Sequence, residues 1–225
     1  FINIINSPIE KQIQQKFIRR ANKLLKQMPN LKVIGITGSY GKTSTKYILS
    51  TILSQKFNVL KTPKSFNTRM GVAKTINDGL KPTHQIFVCE MGADEPGEIK
   101  QLCDFVHPDI GIITSIGEQH LETFGSLENI KKTKFELVDS LSEDGVAFLN
   151  YEDENVRSVE TNKNKITYGE SEENTYYATN INIGEFGSEF NVHTKSGEEI
   201  PVKTKLLGEH NIINIVGAVA IAKEL

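Results

Sequence analysis

A glycine-rich segment at residues 37–44 joins an apolar run at residues 33–36 to a stretch of helical periodicity. After Thr37 this segment contains Gly38, Ser39, Tyr40, Gly41, Lys42, Thr43 and Ser44. A strand, a glycine turn and a helix in this order create a concavity in which backbone N–H groups and the helix N-terminus attract an anion. The chain is therefore expected to fold as an α/β protein built around a phosphate-binding loop.

The side chains of this loop favour a nucleoside triphosphate as the ligand. Lys42 can neutralise phosphate oxygens, and the hydroxyl of Thr43 or Ser44 can ligate Mg²⁺. The match to the usual motif is partial, because its first glycine position holds Ile36 and the glycine is at Gly38 instead. The alternative is a tight strand-to-helix turn without a ligand. We favour phosphate binding because both flanking elements are of the required type.

Short runs rich in Val and Ile alternate with helix-length segments from residue 31 onward. Strands are predicted at residues 33–36, 59–61, 86–89, 110–114 and 146–149. This alternation is typical of a mostly parallel, doubly wound sheet with helices on both faces, and such sheets bind ligands at the carboxyl ends of their strands. Between about residues 165 and 207, alternating polar and apolar residues between glycines predict a small antiparallel β insertion.

The first 30 residues are predicted to form a separate helix. Apolar residues recur every four positions: Ile9, Ile13, Phe17, Ala21 and Leu25. This spacing predicts an amphipathic helix that ends before Pro29 and packs on the domain at residues 31–225. The chain opens without Met and stops inside an apolar helical pattern, so we expect further domains beyond both ends.

Charge and cysteine content exclude several classes of protein. The 26 basic and 28 acidic residues give a net charge of −2, which provides no long-range field for binding nucleic acid. No apolar stretch approaches the roughly 18 residues of a membrane span. The two cysteines, Cys89 and Cys103, are too few for a disulfide framework or a zinc site, so a reducing, cytoplasmic location is expected.

Two polar residues directly follow predicted strands. Glu90 ends the strand at residues 86–89, on the same sheet edge as the phosphate loop, where its carboxylate either ligates Mg²⁺ or caps a helix or loop. His120 follows the strand at residues 110–114, where it is either a hydrogen-bonding loop residue or, as a neutral imidazole, a ligand for a divalent ion.

The helix predicted at residues 126–141 contains an anomaly. Its apolar stripe consists of Leu127, Ile130, Leu137 and Leu141, and the missing member is Lys134. A buried amine is unfavourable unless it is paired or used chemically, and its pKa falls. A neutral amine can add carbon dioxide to form a carbamate, which is an oxygen ligand for metals. The alternative is that the ammonium group extends to solvent or to a nearby glutamate.

Five motifs occur in order along residues 31–225. They are Thr-Gly-Ser-Tyr-Gly-Lys-Thr at 37–43, Glu-Met-Gly-Ala at 90–93, Gly-Glu-Gln-His-Leu-Glu-Thr-Phe-Gly-Ser at 117–126, Lys-Thr-Lys-Phe-Glu-Leu at 132–137 and Gly-Glu-His-Asn-Ile-Ile-Asn at 208–214. This set resembles the Mur ligase family, ATP-dependent enzymes that form amide bonds in cell-wall precursor synthesis. The resemblance implies the family's central ATP-binding domain, with the helix at 1–30 in place of the N-terminal domain and the C-terminal domain absent.

The resemblance also implies roles for individual residues. Lys42 and the loop amides would hold the ATP phosphates, Thr43 and Glu90 would serve one Mg²⁺, and His120 with carbamylated Lys134 would serve a second. Of these, Lys42, Glu90, His120 and Lys134 would carry the reaction.

Three asparagines match further family positions. Asn211 and Asn214 match a nucleotide-contacting motif, and Asn67 matches a loop near nucleotide and substrate. Taken alone, Asn211 is equally well explained as a helix N-cap. Tyr40 departs from the family pattern, because family loops commonly have Asn there.

Within the family, the motifs are most similar to the branch that adds D-alanyl-D-alanine to a UDP-muramoyl-tripeptide. The implied reaction proceeds through an acyl phosphate that an amine then attacks. One alternative is another ligase of the superfamily, with a different amino acid or a folate-type substrate. A second is a nucleotide-binding module without ligase chemistry, which would need neither His120 nor an inward-facing Lys134.

Overall fold

The computed structural model describes residues 2–225, with side chains from residue 12 onward. Within that range the helices and strands alternate over most of the chain. Their bounds are α1 (Ile2–Lys26), β1 (Lys32–Thr37), α2 (Lys42–Leu53), β2 (Val59–Lys61), α3 (Arg69–Gly79), β3 (Ile86–Glu90), α4 (Glu98–Val106), β4 (Ile110–Ile113), α5 (Leu121–Phe124), α6 (Leu127–Asp139), β5 (Val146–Asn150), α7 (Glu154–Arg157), β6 (Lys165–Gly169), β7 (Tyr176–Gly184), β8 (Gly187–His193), β9 (Glu199–Thr204) and α8 (Glu209–Lys223).

All of these strands belong to one sheet of order β2-β3-β1-β4-β5-β6-β7-β8-β9. Neighbouring strands from β2 to β7 are parallel, and β7, β8 and β9 are antiparallel. The predicted α/β class with a mostly parallel sheet is therefore confirmed. The antiparallel part begins at Tyr176 rather than Lys165, and it extends the same sheet. Exposed and buried side chains alternate at the start of β6 as they do in antiparallel strands, which is why its sequence is ambiguous.

Both faces of the parallel sheet are covered, so its central strands are buried on both sides. Along β1, Val33 packs in the core layer that includes α3, α4 and α6, whereas Ile34 and Ile36 pack in the layer of α2 and α8. This arrangement explains the continuous apolar character of these strands. It also leaves the carboxyl ends of β1, β3 and β4 side by side at one edge.

Helix α1 packs on α3, as the sequence predicts for the N-terminal helix. Ala21 is fully buried, and Asn77 Nδ2 donates a hydrogen bond of 2.9 Å to the Phe17 carbonyl. The predicted apolar stripe is wrong at Ile13, which is 62% exposed because contact with the domain begins only at Phe17. The side chain of Ile9 lies outside the described residues. Across residues 2–225, no helix combines the length and hydropathy that a membrane span requires.

Candidate active site

Glycines set the backbone conformation of the phosphate loop, and the side chain of Lys42 folds back onto the loop. Gly41 has φ +82° and forms the N-cap of α2, a left-handed conformation that glycine adopts without strain. Lys42 Nζ donates to the carbonyls of Gly38 at 2.6 Å and Ser39 at 2.9 Å. Burial lowers the pKa of Lys42, an effect partly opposed by the nearby carboxylate of Glu90. The loop thus holds a cation directly above the N-terminus of a helix.

Hydrogen bonds join this loop to the segment that follows β4 and carries His120. Ser39 Oγ donates to the Gly117 carbonyl at 3.0 Å and accepts from its N–H at 2.9 Å. Ser39 N donates to the Ser115 carbonyl at 2.6 Å, and Tyr40 N donates to Ser115 Oγ at 3.1 Å. These hydrogen bonds therefore fix the phosphate loop relative to the segment that carries His120.

Of the two asparagines near the start of α8, Asn214 approaches the phosphate loop. Asn214 is buried, and its Oδ1 lies 2.8 Å from the position that a Cβ would take at Gly41. Asn211 instead donates to the Leu207 carbonyl at 2.8 Å. The N-cap of α8 is Gly208, so the N-cap explanation of Asn211 is wrong.

Replacing Gly41 with alanine is expected to destabilise the fold and to weaken nucleotide binding. The left-handed conformation costs a non-glycine residue about 1–2 kcal/mol, and the new methyl group would also displace Asn214. Gly197→Ala is the matched control, because Gly197 has φ +81° and no atom within 4 Å of the added Cβ. Thermal unfolding and ADP titration of both variants measure the two effects. Equal losses in both variants would contradict a role for the Gly41–Asn214 contact.

Glu90 is the polar centre of the adjacent edge. It ends β3 in register with Ile36 of β1 and is 1% exposed. Thr43 Oγ1 lies 3.1 Å from each of its carboxylate oxygens, and Asn67 Nδ2 lies 3.3 Å from Oε1. Ser44, the other hydroxyl candidate, is exposed as Thr43 is, but the hydrogen bonds to Glu90 come from Thr43. The structure therefore brings Glu90, Thr43 and Asn67 together.

Lys46 completes this group, although the sequence motifs do not include it. Its ammonium lies 2.7 Å from Glu90 Oε2, and the two side chains are 0% and 1% exposed. A sequence signal for it exists, because Lys46 shares one face of α2 with buried Leu49 and Leu53. This is the same pattern of a lysine within an apolar stripe that marks Lys134.

Lys134 points inward from α6, as its position in the apolar stripe predicts. It is 4% exposed, so its ammonium lies within the domain rather than at the outer surface. Burial, together with the positive charge of Lys42, lowers its pKa to about 8 against the opposing effect of nearby carboxylates. Its Nζ lies 5.7 Å from the centroid of the Phe124 ring. The amine therefore loses its proton at about pH 8, well below the ordinary range of a lysine.

Lys134 and the phosphate loop share one cavity of about 130 Å³. Its lining residues include two further cations, two carboxylates and several neutral polar groups. Among them are Lys42, Asn67, Arg69, Asp94, Glu98, Gln119 and His120. Arg69 and Asp94 lie outside the motifs found in the sequence, and only the tertiary packing brings them to this cavity. The cavity therefore presents both positively and negatively charged side chains to a ligand.

His120 lies at the mouth of this cavity. It adopts φ +54° at the N-cap of α5, and its Nε2 lies 3.5 Å from Asp94 Oδ1. Both side chains are more than half exposed. His120 is thus on the same cavity as Lys134 but at its open side.

The donor chemistry separates the two predicted metal sites. Thr43 and Glu90 supply oxygen ligands within 3.1 Å of each other, which fits Mg²⁺. His120 and unmodified Lys134 supply only nitrogen, so this pair fits Mg²⁺ only when the lysine is a carbamate. Among the described residues, no group of three or more His, Cys, Asp or Glu side chains is arranged to hold a metal.

The family model of the Mur ligase middle domain matches residues 36–222. The chain belongs to the Mur ligase family. The matched region runs from the end of β1 to the last turns of α8, so this Mur ligase domain contains every site residue described above.

The chain is also similar to individual curated relatives and to solved structures of the Mur ligase family. The chain is 34% identical to UDP-N-acetylmuramoyl-tripeptide--D-alanyl-D-alanine ligase of Bacillus subtilis over 84% of its length and 40% of the relative's. It is also 34% identical to the Escherichia coli enzyme, over 88% and 44%. The structure of MurF ligase from Thermotoga maritima in complex with ADP matches with a TM-score of 0.85 and 29% identity, over 94% of this chain and 49% of that one. The chain thus spans less than half the length of these relatives.

Proposed function

We propose that this chain is the ATP-binding part of a ligase that adds D-alanyl-D-alanine to a UDP-muramoyl-tripeptide. The observation that carries the proposal is the convergence of Lys42, Asn67, His120 and Lys134 on one cavity beside the phosphate loop. A loop that only bound nucleotide would not need a buried lysine on a neighbouring helix. The relatives named for this reaction are 34% identical to the chain over the matched residues.

In the reaction proposed, the substrate carboxylate attacks the γ-phosphorus of ATP, and ADP leaves as the acyl phosphate forms. The amine of the dipeptide then attacks the acyl carbon, loses a proton and expels phosphate. Lys42 and the loop amides orient the phosphates and offset the charge that develops during transfer. The walls of the cavity would hold the carboxylate next to the γ-phosphate. The two groups would then react within one complex, without having to meet by diffusion.

Thr43 and Glu90 would hold one Mg²⁺ in this proposal. The ion would supply charge neutralisation on the phosphate oxygens. His120 and a carbamate on Lys134 would hold a second ion. The low pKa of Lys134 supports this modification, because only the neutral amine adds carbon dioxide.

We also propose that residues 31–225 form the family's central ATP-binding domain, with α1 as an attached helix. The contact between α1 and α3 supports the attachment. A cytoplasmic location is proposed from the ligand, because ATP and nucleotide-linked sugars are cytoplasmic metabolites. Both cysteines are buried and free, as a reducing compartment favours.

Phosphate release by the complete gene product containing this sequence tests the function. The reaction is run with Mg·ATP, UDP-muramoyl-tripeptide and D-alanyl-D-alanine, and with each component omitted in turn. Release is expected only in the complete mixture, because the carboxylate must attack first and the amine must follow. Mass spectrometry of the product checks that the dipeptide has been joined.

Two results would count against this substrate pair. Release that requires a different amino acid or a folate-type acid would make the protein another ligase of the superfamily. ATP binding without release, across a panel of carboxylates and amines, would leave a nucleotide-binding module without ligase chemistry.

A further inference from the structure

We infer that Lys46 is the residue that positions Glu90 for metal binding in the nucleotide site. The inference rests on the proposed function, since it concerns the same Mg²⁺ and nucleotide. It adds a residue of α2 that lies outside the phosphate-loop motif.

The first support is the geometry of the ion pair. Lys46 Nζ binds Glu90 Oε2 at 2.7 Å, whereas Asn67 Nδ2 binds Oε1 at 3.3 Å. The two oxygens of one carboxylate thus have different partners, which fixes its rotation. Thr43 Oγ1, 3.1 Å from both oxygens, marks the side on which the carboxylate meets the phosphate loop.

The second support is burial. Lys46 is 0% exposed and Glu90 is 1% exposed, so neither charge is solvated by water. Because water is not available as an alternative partner, each charge of the buried pair depends on the other for its stabilisation. The ammonium of Lys46 therefore restrains the position of the Glu90 carboxylate inside the domain.

The third support is that Lys46 also holds the segment that carries Asn67. Its Nζ donates to the carbonyl of Lys64 as well as to Glu90. Lys64 has φ +46°, a conformation unusual for a residue with a side chain, and it lies three positions before Asn67. One ammonium group thus ties α2, β3 and the loop before α3 together around the carboxylate.

The test compares Mn²⁺ affinity, measured by electron paramagnetic resonance in the presence of ADP, with ADP affinity measured without metal. Lys46→Met in the complete gene product removes the charge and keeps a chain of similar length. It is expected to weaken Mn²⁺ binding at least about tenfold, the usual effect of losing a residue that orients a metal ligand. ADP affinity without metal should stay within about twofold, because Lys42 and the loop amides are unchanged. Lys56→Met, at an exposed lysine, is the matched control.

Glu90→Gln and the double variant Lys46→Met/Glu90→Gln complete the experiment. If Lys46 acts through Glu90, the double variant binds Mn²⁺ no more weakly than Glu90→Gln alone. This comparison also serves if Lys46→Met by itself does not fold, because the double variant leaves no buried charge unpaired.

Three results would overturn the inference. They are unchanged Mn²⁺ affinity in folded Lys46→Met, a parallel loss of metal-free ADP binding, and a further loss of Mn²⁺ binding in the double variant relative to Glu90→Gln. Failure of the unsubstituted protein to bind Mn²⁺ with ADP would instead refute the proposed function, and the role of Lys46 with it. The two failures are therefore distinguishable.

Discussion

Replacing Lys42 with alanine is expected to lower kcat of the proposed ligase by about 100- to 1,000-fold, the usual cost of removing one preorganised group that stabilises developing charge. The ammonium of Lys42 is held over the phosphate loop by the carbonyls of Gly38 and Ser39. It is partly removed from water, where its attraction for a phosphoryl group is stronger than in bulk solvent. The measurement is steady-state phosphate release by the complete gene product.

The fold should tolerate the Lys42 substitution. The side chain contacts only its own loop through hydrogen bonds, so the free energy of unfolding is expected to change by less than about 1.5 kcal/mol. Lys56→Ala, at an exposed position, controls for the loss of one positive charge. A Lys42→Ala enzyme that keeps more than about a tenth of its kcat, well above the expected loss, would remove Lys42 from the mechanism.

Replacing Lys134 with methionine is expected to stabilise the protein while it abolishes most of the activity. Burial lowers the pKa of Lys134 from 10.5 to about 8, and the charge of Lys42 contributes to this fall against the opposing effect of Asp94, Glu136 and Glu98. A pKa lowered to this extent corresponds to about 3 kcal/mol of instability when the amine is protonated. Methionine fills the same space without a charge.

The destabilisation caused by Lys134 is expected to decrease as the pH rises. The folded state binds the Lys134 proton less tightly than the unfolded state, so the full destabilisation is present below about pH 8 and fades as the pH rises toward 10.5. In carbon dioxide-free buffer, Lys134→Met should therefore gain most stability below pH 8 and little above 10.5. Urea unfolding at several pH values measures this difference. Lys132→Met, on the exposed side of the same helix, should show no such dependence.

Loss of the proposed carbamate would account for the expected loss of activity. Activity of Lys134→Met should fall by at least about 10- to 100-fold, the range found when the environment of a catalytic metal is altered. Carbon-13 NMR with labelled bicarbonate should give a carbamate signal in the unsubstituted protein and none in Lys134→Met. An active Lys134→Met enzyme, or an unsubstituted enzyme without the carbamate signal, would exclude this modification from the mechanism.

Local patterns in the sequence were sufficient for much of this fold. The order strand, glycine turn and helix at residues 37–44 identifies the phosphate loop, because it depends on backbone conformations set by neighbouring residues. The apolar stripe around Lys134 identifies an inward-facing lysine, because helical periodicity fixes which side chains share a face. The alternation of Val- and Ile-rich strands with helices likewise predicts a parallel sheet.

Other features depend on contacts between distant parts of the chain, which no local pattern contains. The Lys46–Glu90 pair joins residues 44 positions apart, and the parallel pairing of β1 with β3 brings them together. The Ser39–Gly117 hydrogen bonds span 78 positions. The choice of Thr43 over Ser44 as partner of Glu90 likewise depends on the side of α2 that meets β3.

The sequence by itself determined the fold class, the phosphate loop and the inward direction of Lys134, because each of these follows from the conformational preferences and periodicity of neighbouring residues. Only the tertiary structure decided which polar groups meet at the carboxyl edge of the sheet. Strand order and the path of each loop bring those groups together, and both result from the packing of the whole domain. For this reason the Lys46–Glu90 ion pair is visible only in the three-dimensional structure.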